Sequence, residues 1–104
     1  LALAHAQLGY CLFREKQYEA AVTSYETAIA VDSKLAEAHA GLSVVNMSMY
    51  LTDNSRLDCR RVAVDHWHRS LEINPNQAKL RQLIDKYRLD AANNNPETVL
   101  LGQQ

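Results

Sequence analysis

Three glycines and two prolines in 104 residues are too few for an all-β chain, whose tight turns depend on them. No apolar run approaches the roughly 20 residues that span a bilayer, so membrane insertion is not expected. The opening stretch Leu1 to Phe13 holds no Asp, Glu, Lys or Arg, yet it lacks the basic start and cleavage site of a signal peptide. An excess of charge is missing as well. A formal net charge of -1 gives no global field to attract nucleic acid or an acidic membrane surface. Two cysteines, Cys11 and Cys59, make no disulfide framework, and a reducing, cytoplasmic setting is the default reading. The first residue is Leu rather than Met, and the chain is expected to be a fragment or a processed form.

Motifs of catalysis are absent too. There is no G-x-S-x-G, no glycine-rich phosphate loop and no His-Glu-x-x-His, so neither an enzyme nor a cofactor is expected. What is present is a helix-forming composition, dominated by alanine and leucine with many Glu, Gln, Lys and Arg. At 104 residues it suits one small domain.

An internal repeat organises that domain. Leu1-Ala-Leu-Ala-His-Ala-Gln-Leu-Gly-Tyr10 aligns without a gap on Leu35-Ala-Glu-Ala-His-Ala-Gly-Leu-Ser-Val44, an offset of 34 residues. The segment from Ala21 to Ser33 aligns on Ala63 to Pro75, an offset of 42, pairing Ala21 with Ala63, Tyr25 with Trp67 and Ala28 with Ser70. Both copies share one plan, and the second carries eight extra residues between its two helices. Helical spacing predicts helices over about Ala2–Arg14, Tyr18–Val31, Ala36–Leu51 and Arg56–Ile73, with a fifth from about residue 78 to Ala92. Thr52-Asp-Asn-Ser55 offers N-caps for the fourth helix. The insertion is expected to lengthen both helices of the second copy, with Met47, Met49 and Tyr50 as an exposed second contact surface.

Units of 34 residues with a W-x2-L-G-x2-Y, A-x3-F, P pattern are tetratricopeptide repeats. The first copy resembles that family at Leu8-Gly9, Ala21-x3-Tyr25 and Ala28, and the second at Leu42, Ala63-x3-Trp67 and Pro75. His5 and His39 stand where the family often has Trp, Leu12 and Asn46 replace its Tyr, and Ser33 replaces the first Pro. The resemblance implies an all-α solenoid of antiparallel helix pairs. Residues 1–92 would form the domain, with repeats over about 2–35 and 36–77 and a capping helix over about 78–92. Residues 93–104 would form a tail with a short helix opened by Asn95 and Pro96 and closed by Gly102, its Val99, Leu100 and Leu101 docking on an apolar surface. Small residues at Gly9, Ala21, Ala28, Ser43, Ala63 and Ser70 let helices approach closely, and Trp67 is the expected core anchor of the second repeat.

The family resemblance also places a ligand. First helices of each pair line a concave face, which implies Leu3, Ala6, Tyr10 and Phe13, then Glu37, Ala40, Val44 and Met47, then Lys79, Gln82 and Lys86. That groove is apolar at one end and basic at the other, suited to a peptide or helical segment of a protein partner. A carboxylate clamp of the kind some relatives carry would fall on Ala6, Tyr10, Gly41, Lys79 and Leu83, where only Lys79 fits, so that ligand class is rejected. The bland alternative is that Tyr10 and Phe13 pack against a further repeat. Two rival functions remain: a homo-oligomerisation module working through the apolar N-terminal helix or the tail, and a docking or regulatory domain of a larger enzyme.

Remaining polar clusters read as structural. His66 and His68, two apart on a helix, point away from each other, and Cys59 with His66 lacks further ligands, so no metal site is expected. His5 and His39 are expected to fill aromatic packing slots, and His66 and His68 to be partly exposed. Glu15, Glu19 and Glu26 are expected to be solvated. Arg56, Arg60, Arg61 and Arg69 lie among Asp53, Asp58 and Asp65, which favours local ion pairing over a nucleic-acid patch.

Overall fold

A computed structural model describes residues 1–87 of the chain. It holds five α-helices: α1 (Ala2–Arg14), α2 (Tyr18–Val31), α3 (Ala36–Thr52), α4 (Leu57–Ile73) and α5 (Ala78–Tyr87). The part of the expected cap beyond residue 87, and the expected tail helix with its apolar cluster, lie outside the described residues. α1 packs on α2 and α3 on α4 as two hairpins, and both α1 and α2 pack on α3 to join them. Among the described residues no strand forms, and no helix is long and apolar enough to cross a membrane.

The helix ends follow local chemistry. After α1 the amide of Lys16 donates to the Phe13 carbonyl at 2.9 Å and that of Gln17 to the Leu12 carbonyl at 2.9 Å, the doubled closure of a Schellman turn. That turn needs a left-handed residue, and Lys16 takes the role with φ 62°. The next three helices end differently. Asp32, Asp53 and Asn74 each leave the helix in extended backbone, and each accepts a hydrogen bond from the amide two residues on. The expected N-caps in Thr52–Ser55 are corrected: Arg56 precedes α4 and makes no side-chain cap. Asp53 instead accepts from both the amide and the hydroxyl of Ser55, which hold its carboxyl below the usual range.

The insertion does lengthen both helices of the second hairpin, to 17 residues each against 13 and 14 in the first. The expected exposure of its Met and Tyr residues is corrected, although Leu51 and Leu57 at the tip of the hairpin are exposed. Met47 and Met49 are buried and Tyr50 is half-buried, because the added turns extend the α3–α4 seam.

Two apolar clusters make the core. Ala21, Tyr25, Ala28, Ala38, Leu42 and Val45 join α2 to α3, and Met47, Ala63, Trp67 and Leu80 join α3 and α4 to α5. Trp67 is completely buried, and burial of so large a side chain contributes about 3 kcal/mol. Its indole N–H has no hydrogen-bond partner, an offsetting cost. The small positions do what their size allows. Tyr25 lies between Gly9 of α1 and Gly41 of α3, so close that a Cβ on either glycine would meet its ring within 3.0 Å. Ser70, the counterpart of Ala28, is also fully buried; its hydroxyl donates to the Ala36 carbonyl at 2.8 Å and accepts from Gln77 at 2.9 Å. Those bonds tie α4 to the start of α3 and to the entry of α5. α5 turns Leu80 inward, with Leu83, Ile84 and Tyr87 packed beside it, while Lys79, Arg81, Asp85 and Lys86 are exposed.

Candidate functional site

Stacking two hairpins and a fifth helix leaves α1, α3 and α5 along one face, and between them runs an open groove of about 960 Å³. Seven of the residues assigned to it from sequence line it: Ala6, Tyr10 and Phe13 from α1, Glu37, Ala40 and Val44 from α3, and Lys79 from α5. Four do not. Met47 is buried against Ala63, Trp67 and Leu80, because the helix turns it toward α4. Leu3 is exposed but lies outside the groove, and so do Gln82 and Lys86 on the solvent side of α5. The expected basic end is therefore reduced to Lys79, and Glu37 brings the opposite sign into the same lining.

The structure adds lining residues that the repeat pattern did not assign to a ligand. Gln7 and Cys11 of α1, Gln77 and Ala78 at the start of α5, and Leu80 with Leu83 complete the walls. Gly41 and Tyr25 make the floor, where the absence of a Cβ on α3 lets the ring of α2 come through. Burial raises the Tyr25 hydroxyl to about pKa 12, with Tyr10, Cys11 and Glu37 adding to the rise, so it stays protonated. On the rim, Tyr10 is fixed from below: its hydroxyl accepts from Arg14 at 2.8 Å, and the guanidinium lies 5.7 Å from the ring centre. Phe13 stacks obliquely on Tyr18 at 5.7 Å. The surface is thus largely apolar and aromatic, with one charge of each sign and neutral amides. It has the chemistry to bury hydrophobic side chains and to hold them by a few hydrogen bonds.

The histidines are arranged otherwise than expected. His39 is buried and forms no mere packing slot: its Nε2 lies 2.8 Å from the Ser33 carbonyl and its Nδ1 2.9 Å from Nδ1 of His66. A carbonyl only accepts, so His39 carries its proton on Nε2 and offers Nδ1 as acceptor. His66 must then donate from Nδ1, leaving its Nε2 4.0 Å from Asp65. The two rings stack at 5.1 Å. Burial, and then His39, lower the pKa of His66. His68 is exposed. The spacing of His66, His68 and Cys59 along α4 carries no sign of His39 across the hairpin, and the offset of 42 in α4 against 34 in α3 takes the two histidines out of repeat register. Among the described residues no group of three or more His, Cys, Asp and Glu side chains gathers to hold a metal.

Arg56 pairs with Glu19 at 3.4 Å and lies 3.9 Å from Asp58, and Arg69 pairs with Asp65 at 3.2 Å, the local pairing expected of this cluster. Glu19 is solvated as expected, and its pair with Arg56 reaches from α2 to the start of α4, although so exposed a pair contributes little.

Compared with protein families, residues 9–49, from the middle of α1 through α2 to the end of the groove-lining part of α3, match the family described as TPR repeat. No curated protein and no solved structure matched the chain.

Proposed function

We propose that this chain holds a segment of a protein partner in the groove between α1, α3 and α5: its residues 9–49 match the TPR-repeat family, whose members generally mediate protein–protein interaction. The observation that carries the reading is the lining itself. Ala6, Phe13, Ala40, Val44, Leu80 and Leu83 present apolar surface in an open trough, while Glu37 and Lys79 supply one charge each. That balance suits an apolar peptide or an amphipathic helix laid in by its hydrophobic face. Nothing in the groove is arranged for turnover, and the proposed role is to hold a partner.

Cys11 provides the test. It is an exposed thiol in the groove wall, whereas Cys59 is buried. A bound segment should slow the reaction of Cys11 with a thiol reagent and leave Cys59 unreactive throughout. Ala78→Arg, which puts a long charged side chain into the trough from an exposed position, should abolish both the binding and the protection. Binding that persists in Ala78→Arg with no protection of Cys11 would place the partner elsewhere.

A second reading rests on α1. Leu1, Leu3, Leu8 and Tyr10 are exposed on one helix, more apolar surface than a free face normally carries, and self-association would cover it. A mass that rises with concentration in sedimentation, and returns to the monomer in Leu8→Glu, supports this reading. A constant monomer mass overturns it.

A further inference from the structure

A buried tyrosine normally finds a hydrogen-bond partner for its hydroxyl, because an unpaired donor in an apolar site is costly. Tyr25 is 4% exposed and forms the groove floor, yet among the described residues no group hydrogen-bonds to its hydroxyl. The contrast with its neighbours is informative. Buried Ser43, Asn46 and Ser70 each donate to a carbonyl inside the protein. The hydroxyl of Tyr10, at the rim, is taken by Arg14. The unpaired indole N–H of Trp67 is sealed in the core, whereas the Tyr25 hydroxyl belongs to the floor of an open groove, where an incoming group can receive it.

The ring cannot turn away to find a partner, since Gly9 and Gly41 hold it on two sides. Its hydroxyl therefore addresses whatever enters the trough. We propose that Tyr25 is the specificity-determining residue of the groove, and that the partner segment is apolar and delivers one neutral carbonyl oxygen to its hydroxyl. The inference rests on the groove reading above and adds the chemistry of the ligand. The charges decide between acceptors. Glu37 lines the same wall and contributes to the negative surroundings of the hydroxyl, so an incoming carboxylate would be repelled as well as desolvated. A neutral amide or backbone carbonyl meets neither cost. It also leaves Lys79 and Glu37 free for the rim of the ligand.

The experiment uses the whole chain, unmodified and as Tyr25→Phe, with Ala78→Arg as the blocked groove. Each is panned against a displayed library of random dodecapeptides, and the affinities of the selected peptides are measured for all three proteins. Phe keeps the ring between the two glycines, so Tyr25→Phe should match the parent in melting temperature and helical signal. Peptides selected by the parent should be apolar, should fail to bind Ala78→Arg, and should bind Tyr25→Phe about five- to tenfold more weakly. If that loss disappears when a recurrent Asn or Gln of the peptide is replaced by Leu, the oxygen comes from a side chain; if no such residue recurs, it comes from the backbone. Equal affinity of parent and Tyr25→Phe, for peptides that Ala78→Arg rejects, overturns the inference and leaves the groove reading standing. Equal binding by Ala78→Arg, or the selection of no peptide at all, overturns the groove reading and this inference with it.

Discussion

α1 and α3 begin with nearly the same sequence and live in opposite surroundings. Ala38, Leu42 and Val45 are 0, 3 and 1% exposed, whereas their counterparts Ala4, Leu8 and Cys11 are all exposed, Leu8 by 51%. The difference comes from α2, whose Ala21, Tyr25 and Ala28 cover that face of α3, while among the described residues nothing covers the same face of α1. The lesson is that a repeat sequence encodes an interface rather than a burial. The face is apolar in both copies because it is built to receive the second helix of a neighbouring hairpin, and it becomes core only where one arrives. Where the two sequences part, the presence of a neighbour explains why. Gln7 of α1 corresponds to Gly41 of α3, and only Gly41 has a tyrosine ring pressed on it.

That comparison predicts unequal costs for equal substitutions. Leu42→Ala should destabilise the fold by about 2–5 kcal/mol, as truncation in a packed core does. Leu8→Ala should stay within about 0.5 kcal/mol, the range of surface changes. Urea titrations of the two variants give both numbers. Similar losses would mean that α1 is covered in solution, by a second copy or by another part of the protein.

The next effect is smaller and concerns the point of divergence. Gly41→Ala drives a methyl group into the Tyr25 ring, which is rigid and clasped from the other side by Gly9. Overpacking of this kind costs about 1–3 kcal/mol. Gln7→Ala, at the equivalent position of α1, should be close to neutral, and thermal melts of the pair test the contrast. A neutral Gly41→Ala would show that α2 slides on α3 without penalty, and the repeat interface would then be looser than its geometry.

Much of this organisation could be read before any coordinates. The periodicity of Ala21, Tyr25 and Ala28, repeated at Ala63, Trp67 and Ser70, marks the buried stripes of α2 and α4, since the second helix of each pair is flanked on both sides. The groove was legible in part, because first-helix residues such as Ala6, Tyr10, Ala40 and Val44 follow from the repeat alone. Met47 was misplaced because α3 is buried along most of its length and shows almost no polar face to orient it. The floor at Tyr25 and the His39–His66 pair were not legible for another reason. Each depends on a distance between helices, and a helix's own spacing carries no information about what comes across from the next one.

The histidine pair turns the same comparison into a pH dependence. His39 and His5 are equivalent in sequence, but only His39 meets a second imidazole. His66 titrates below its ordinary value in the fold, through burial first and His39 second, with Asp65 opposing and Arg69 reinforcing. The unfolded chain therefore binds the proton more readily. Stability is full above the ordinary histidine pKa of about 6.5 and falls as pH drops from there toward the lowered value. The physical reason is that protonation would place a charge on a half-buried ring stacked on a second imidazole at 5.1 Å. Denaturation midpoints measured between about pH 8 and 5 should fall toward acid. His66→Gln, whose amide can still donate to His39, should flatten that fall, whereas His5→Gln should leave it unchanged. An acid limb untouched by His66→Gln would assign the dependence to other groups.

The smallest expected effect lies in the turns, where the two hairpins again differ. The first closes through Lys16 in the left-handed region at φ 62°, a conformation that costs a residue with a Cβ about 1–2 kcal/mol relative to the right-handed one. The second closes through Asp53 in extended backbone, with Ser55 donating twice to its carboxylate. Lys16→Gly relieves the strain but gives the unfolded chain more freedom, and the two effects together leave a net gain of about 0.5–1 kcal/mol. The same change at Asp53 has no strain to relieve and removes the acceptor of both Ser55 hydrogen bonds, so Asp53→Gly should destabilise. Lys16 is exposed and outside the groove lining, so peptide affinity should not change in Lys16→Gly. Parallel thermal melts of the two glycine variants decide the matter. A gain at Lys16 with a loss at Asp53 follows if each hairpin is closed by its own backbone chemistry; a loss at both would mean that the Lys16 turn is held by its side chain rather than strained by it.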